Sequence, residues 1–202
     1  MLDQLDVLVT SYAAAWWVPF LVFGLATVDA FFPPLPSESV VIALSAIWAA
    51  TGEPDLLALG VAAALGAFCG DNVTYTIGRH SPLRRWVSGN PRLERIFDRS
   101  GRELAKRGAL AILAARYVPV GRTAVNLTAG ATRFPRRRFV GLSALAALTW
   151  SGYSIAIGAL AGHWVESTPL VGALVGVAGA LVIGFAVDTV LNRLVHPRRA
   201  RA

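Results

Sequence analysis

The chain of 202 residues is 55% hydrophobic and 15% charged, with a mean hydropathy of +0.55. Those proportions exclude an ordinary water-soluble domain and predict a single all-α integral membrane domain. The formal charge of +7 is carried almost wholly by clustered arginines, Lys106 being the single lysine, so it describes local patches that orient the chain rather than a surface for nucleic acid.

Met1 to Thr10 holds Asp3 and Asp6 but neither Lys nor Arg, and so lacks the positive region of a cleaved leader. Residues 12–50 are apolar but interrupted by DAFFPPLPSE, residues 29–38, where prolines 33, 34 and 36 lack a backbone N–H and forbid a continuous helix. What remains, 39–50, reaches only ~18 Å as a helix, short of a ~30 Å hydrocarbon core. Both flanks lack Lys and Arg, so about 12–50 is expected to be a re-entrant helical hairpin entering from the outer face. A plain span follows at about 56–78. The next segment, about 83–107, is rich in arginine against Glu94, Asp98 and Glu103, with Leu93, Ile96, Phe97 and Leu104 at helical spacing. That pattern predicts an amphipathic helix on the cytoplasmic surface.

Residues 108–132 are apolar, flanked on both sides by basic residues and too short to cross twice. They predict a second hairpin, turning near Pro119 and Gly121 and opposed to the first. Spans at about 139–161 and 170–192 follow, and Arg193, Arg198, Arg199 and Arg201 hold the C-terminus in the cytoplasm. Hairpin, span, connector, hairpin and span form an inverted-topology repeat of hydropathy and charge, as in many secondary transporters. The pairs Gly66/Gly70, Gly158/Gly162 and Gly172/Gly176 predict close helix contacts within it.

Asp29 and Glu38 flank the first break, and a carboxylate at membrane depth is costly unless protonated, paired or hydrated. In ARYVPVGRTAVNLTAG, Arg116 and Arg122 flank the second. A guanidinium cannot shed its charge and matches phosphate bidentately. Two readings stay open: ion pairs that link the hairpins, or an anion site with titratable acids beside it. Asp71, Tyr75 and Arg79 in GDNVTYTIGR lie one turn apart, and with Pro119, Gly121 and Asn126 they are the expected supporting residues. Cys69 is alone, and His80, His163 and His196 have no metal-ligand spacing. No Walker loop, nucleophile elbow or H-E-x-x-H occurs, so no catalytic residue, cofactor or metal is expected.

In that order, DAFFPPLPSE, GDNVTYTIGR and RYVPVGRTAVNLTAG resemble the DedA family of bacterial membrane proteins, which shares the VTT domain of the SNARE-associated Golgi proteins. The resemblance covers about residues 12–165. It implies two opposed re-entrant hairpins in a multi-pass protein of the bacterial plasma membrane. The implied activity is translocation of undecaprenyl phosphate, returned to the cytoplasmic face for reuse with dependence on proton motive force; related VTT proteins scramble phospholipids. The family's paired acids fall on Asp29 and Glu38 and its paired arginines on Arg116 and Arg122. Its first acid is usually Glu, and Asp29 is one methylene shorter. Lipid phosphate or phospholipid, protons and the bilayer are then the partners, and a second copy of the chain is admissible. A scramblase of broader specificity and a structural module for membrane-protein insertion are the alternatives.

Overall fold

A computed structural model of the protein describes residues 11–32, 35–82 and 119–164, with 104, 106, 108, 110, 112–114 and 116 between them. The N-terminal ten residues, Pro33, Pro34, nearly all of the expected surface helix at 83–107, the side chains of Pro119 and His163, the expected span at 170–192 with Gly172 and Gly176, and the C-terminal arginines with His196 lie outside the described residues.

Among the described residues, five α-helices carry the fold. The first, α1, is Val18–Asp29, with Pro19 in its first turn and its end at the proline-rich break. Next, α2 is Ser37–Thr51, which follows Pro36, carries Glu38 in its first turn and stops at Gly52 in the left-handed region, φ 82°. At 12 and 15 residues these helices are ~18 and ~22 Å long. The third, α3, is Leu56–His80; the Asp55 carboxylate accepts from the Leu57 and Ala58 N–H groups and caps its start. Then α4 is Pro119–Ala131 and α5 is Arg136–Trp164. Between them the chain turns through Arg133, whose φ of 57° lets the Arg133 N–H donate to the Gly130 carbonyl and the Phe134 N–H to the Ala129 carbonyl. This is a Schellman closure built without glycine.

Of these, α3 and α5 are long and apolar enough to cross a membrane. Their outer faces expose Leu57, Val61, Leu65, Val73 and Ile77 on α3, and Leu145, Leu148 and Leu160 on α5. In water such stripes would aggregate; against acyl chains they cost nothing. Tyr12, Trp16 and Trp17, also exposed, sit at the start of α1, as aromatic side chains do at a membrane interface. The protein is therefore an all-α, multi-helix, membrane-embedded fold.

Lipid offers no hydrophobic drive between helices, so packing depends on close backbone approach. A Cβ on Gly66 or Gly70 would overlap the α1 carbonyls of Phe23 or Thr27, and one on Gly158 or Gly162 would overlap the α2 carbonyls of Ile42 or Ala46. These two glycine pairs seat α1 on α3 and α2 on α5. A third contact, not marked by any such pair, brings Gly78 of α3 against the Leu127 carbonyl of α4 and Gly130 of α4 against the Tyr75 carbonyl. One buried cluster gathers Val22, Val41, Leu59, Ala63, Ala147 and Trp150 from four helices. A second joins Tyr75, Leu104, Ile112, Phe134 and Phe139, with Tyr75 and Phe139 stacked at 4.4 Å.

Candidate functional site

Asp71 lies within α3, nearly two-thirds of the way along it, and a lone buried carboxylate there must find donors. It finds three groups. Its Oδ2 accepts from Arg116 Nη1 at 2.5 Å, its Oδ1 accepts from Asn126 Nδ2 of α4 at 2.9 Å, and Arg122 Nε stands 3.8 Å from Oδ1. Arg116 is itself buried, its guanidinium stacked over the Trp150 ring of α5 at 5.1 Å. A guanidinium offers five N–H donors. Here Nη1 is engaged, while Nε and Nη2 are buried without a hydrogen-bond partner.

Arg122 lies in the first turn of α4 and reaches across to the other break. Its Nη2 donates to Asp29 Oδ2 at 3.1 Å, and the same oxygen accepts from Ser37 Oγ at 2.6 Å. The last residue of α1 is thereby tied to the first residue of α2 and to α4. Thr123 Oγ1 donates to the Ala30 carbonyl at 2.8 Å, satisfying an acceptor freed where α1 ends. Thus the chain break after α1 and the start of α4 face each other across two hydrogen bonds.

Glu38 takes a different partner. Its Oε1 accepts from the Tyr153 hydroxyl of α5 at 2.7 Å. Among the described residues the ion pairs are Asp71 with Arg116, Asp29 with Arg122, and the longer Asp71–Arg122 contact. Two arginines and two aspartates therefore share one network, with Glu38 hydrogen-bonded to the side of it.

Asp29, Asp71, Arg116, Arg122 and Asn126 are brought together, and Gly121 immediately precedes Arg122 in α4. Tyr75 and Arg79 are not part of the network. The Tyr75 hydroxyl donates to the Phe134 carbonyl at 2.6 Å and accepts from Arg79 Nη1 at 3.0 Å, which pins the end of α3 to the α4–α5 turn. The reading from sequence passed over Ser37, Thr123, Trp150 and Tyr153. The last two had a signal: Trp150, Ser151, Tyr153 and Ser154 are polar or aromatic positions about one turn apart on an otherwise apolar helix. No group of three or more His, Cys, Asp or Glu among the described residues is placed to hold a metal ion.

The fold and the site define a class: a membrane-embedded helical protein with a buried network of arginines and carboxylates between its helices. A profile of the VTT domain matches residues 35–160, and the chain belongs to that family, within which it is homologous to DedA. It is 27% identical to protein DedA of Escherichia coli K12 over 163 residues, 79% of this chain and 71% of that one. It is 28% identical over 161 residues to the uncharacterized membrane protein Rv2637 of Mycobacterium tuberculosis H37Rv, 73% of this chain and 72% of that one. An alkaline phosphatase-like protein of Lactococcus lactis subsp. cremoris MG1363 shares 28% identity over 156 residues, 70% and 72% of the two chains. No solved structure matches. Family membership points to a role in handling membrane lipids.

Proposed function

We propose that the protein is a flippase of the bacterial plasma membrane that returns undecaprenyl phosphate to the cytoplasmic face, coupled to the proton motive force. The observation that carries this reading is Arg116: a buried guanidinium with two open donor atoms, paired with Asp71 and beside a second arginine that also reaches that carboxylate. A phosphate monoester supplies the acceptors such a site lacks, and its prenyl tail can stay in the bilayer.

The architecture required is a pair of opposed re-entrant hairpins with the C-terminus inside. Three features support it. Helices α1, α2 and α4 are each too short for a ~30 Å core. The breaks beside α1 and α4 meet through Asp29 and Arg122. The packing is also exchanged between halves: α2 lies on α5, and α4 lies on α3. Backbone broken at that depth is tolerated where protein or a water-filled cavity satisfies it.

In this arrangement Asp29 occupies a donor of Arg122 that a phosphate would use, while Asp71 holds Arg116 in place. Protonation of Asp29 removes its hold on Arg122 and opens that arginine to the headgroup beside the free donors of Arg116. Deprotonation restores the Asp29–Arg122 pair and expels it. Capture is then favoured on the proton-rich outer side and release on the inner side, which gives the direction of transport. Glu38 and Tyr153 tether α2 to α5 beside that network.

The test is reconstitution in liposomes with a labelled prenyl phosphate whose sidedness is followed with and without a pH gradient. Transport accelerated by outside acid and abolished in Arg122→Ala supports the reading, with Glu38→Gln folded but slowed. Bidirectional, gradient-independent movement of ordinary phospholipids would replace it with scrambling. Release of inorganic phosphate would point instead to the hydrolysis that the Lactococcus relative's name suggests.

A further inference from the structure

A second cationic feature lies away from the arginine–carboxylate network. At the start of α5 a groove of about 470 Å³ is lined by the cations Lys106, Arg137 and Arg138 together with Phe134, Leu142, Gly108 and Gly141. Among the described residues, no acidic side chain lines it. The first turn of α5 holds Arg136, Arg137 and Arg138 and no carboxylate, although a helix N-terminus is itself a centre of positive charge and favours acids. Lys106, from the segment before α4, adds a further cation at the same place. None of these cations has an ion-pair partner among the described residues.

The groove's apolar lining sets what kind of anion would fill it. Phe134 is buried, and Leu142 packs on the same cluster one turn beyond Arg138. Gly141 leaves the floor open: a Cβ there meets nothing within 4 Å. Cations beside an apolar trough, at the end of a helix long enough to cross a membrane, match a phosphodiester with an acyl chain attached. A free inorganic anion would leave the trough unused.

We infer that this groove binds one anionic phospholipid, with phosphate held by Lys106, Arg137 and Arg138 and an acyl chain laid along Phe134 and Leu142. The site is separate from the proposed transport path and stands whether or not the protein is a flippase. Basic pockets beside membrane helices hold lipid headgroups by the same combination of charge and shape. The bound lipid neutralises the crowded first turn of α5 and fastens the α4–α5 turn, whose Phe134 carbonyl also accepts the Tyr75 hydroxyl.

The experiment places the full chain in phosphatidylcholine nanodiscs containing spin-labelled phosphatidylglycerol and reads the immobilised fraction. The parent should hold the anionic label in preference to spin-labelled phosphatidylcholine. Arg137→Ala with Arg138→Ala should weaken this preference about 25-fold, about fivefold for each charge near a membrane surface, and Arg137→Lys with Arg138→Lys should restore most of it. Gly141→Leu should also abolish the preference, because it fills the trough with every charge in place. Melting curves of all variants control for folding. A parent without preference, or a folded Gly141→Leu variant that retains the parent's, overturns the site and leaves only diffuse attraction. Displacement of the label by inorganic phosphate would overturn the lipid assignment.

Discussion

The Asp71–Arg116 and Asp29–Arg122 pairs use the same two groups in different surroundings. Asp71 and Arg116 have side chains 4% and 2% exposed, and the pair is closed in by Asn126 and Trp150. Asp29 and Arg122 are 16% and 8% exposed and join the end of α1 to the first turn of α4, and the Asp29 oxygen also accepts from the Ser37 hydroxyl. A dry ion pair is costly to form and costlier to break, because removing one partner strands the other charge. A pair less deeply enclosed can open and reform at lower cost. On the proposed function, Asp71 is the fixed partner and Asp29 the exchanging one.

The largest expected effect breaks the dry pair. Asp71→Asn leaves Arg116 without its counter-ion and should destabilise the protein by about 3–5 kcal/mol, read as a fall in melting temperature in detergent. The double variant Asp71→Asn with Arg116→Gln should be more stable than Asp71→Asn alone, since neither charge is then stranded. Next comes Gly130→Ala. Its Cβ overlaps the Tyr75 carbonyl, so α4 must move off α3 and carry Asn126 away from Asp71; overpacking of this kind costs about 1–3 kcal/mol. Gly24→Ala, with nothing within 4 Å of the new Cβ, is the matched control and should melt no lower than the parent.

A smaller effect sharpens the contrast from the α5 side. Trp150→Leu removes the ring beneath Arg116 and should cost about 1–2 kcal/mol for a desolvated cation–π contact, while leaving the Asp29 pair unchanged in a double-mutant cycle with Asp29→Asn. The smallest stability effect belongs to Asp29→Asn itself. The amide still accepts from Ser37 and Arg122, Asp71 remains near Arg122, and the loss should stay near or below about 1 kcal/mol. If Asp29→Asn and Asp71→Asn melt alike, the distinction between a fixed and an exchanging pair fails.

Much of this arrangement was legible from residue types. Arginines that cannot lose their charge, set beside a break in an apolar segment, had to meet an anion, either a carboxylate of the chain or a bound one. Which acid meets which arginine was not legible. Asp71 is the hub because α3 and α4 approach through Gly78 and Gly130, single glycines on different helices that form no spacing pattern in either. The Gly66/Gly70 and Gly158/Gly162 pairs, by contrast, announce their contacts in sequence and make them. Glu38 turned to Tyr153 rather than to an arginine because α2 lies along α5, a tertiary relation that local pattern does not encode. Tyr75 and Arg79 do share a face, as their spacing required, but that face closes the α4–α5 turn rather than the charged network.

The most direct test of the account is the rate of prenyl phosphate translocation in liposomes under an imposed pH gradient, parent and Asp29→Asn side by side. If the Asp29 carboxylate competes with the headgroup for Arg122, outside acid accelerates the parent, while the folded Asp29→Asn variant moves lipid at a rate that no longer follows the gradient. A parent indifferent to the gradient, or an Asp29→Asn variant that responds as the parent does, would contradict it.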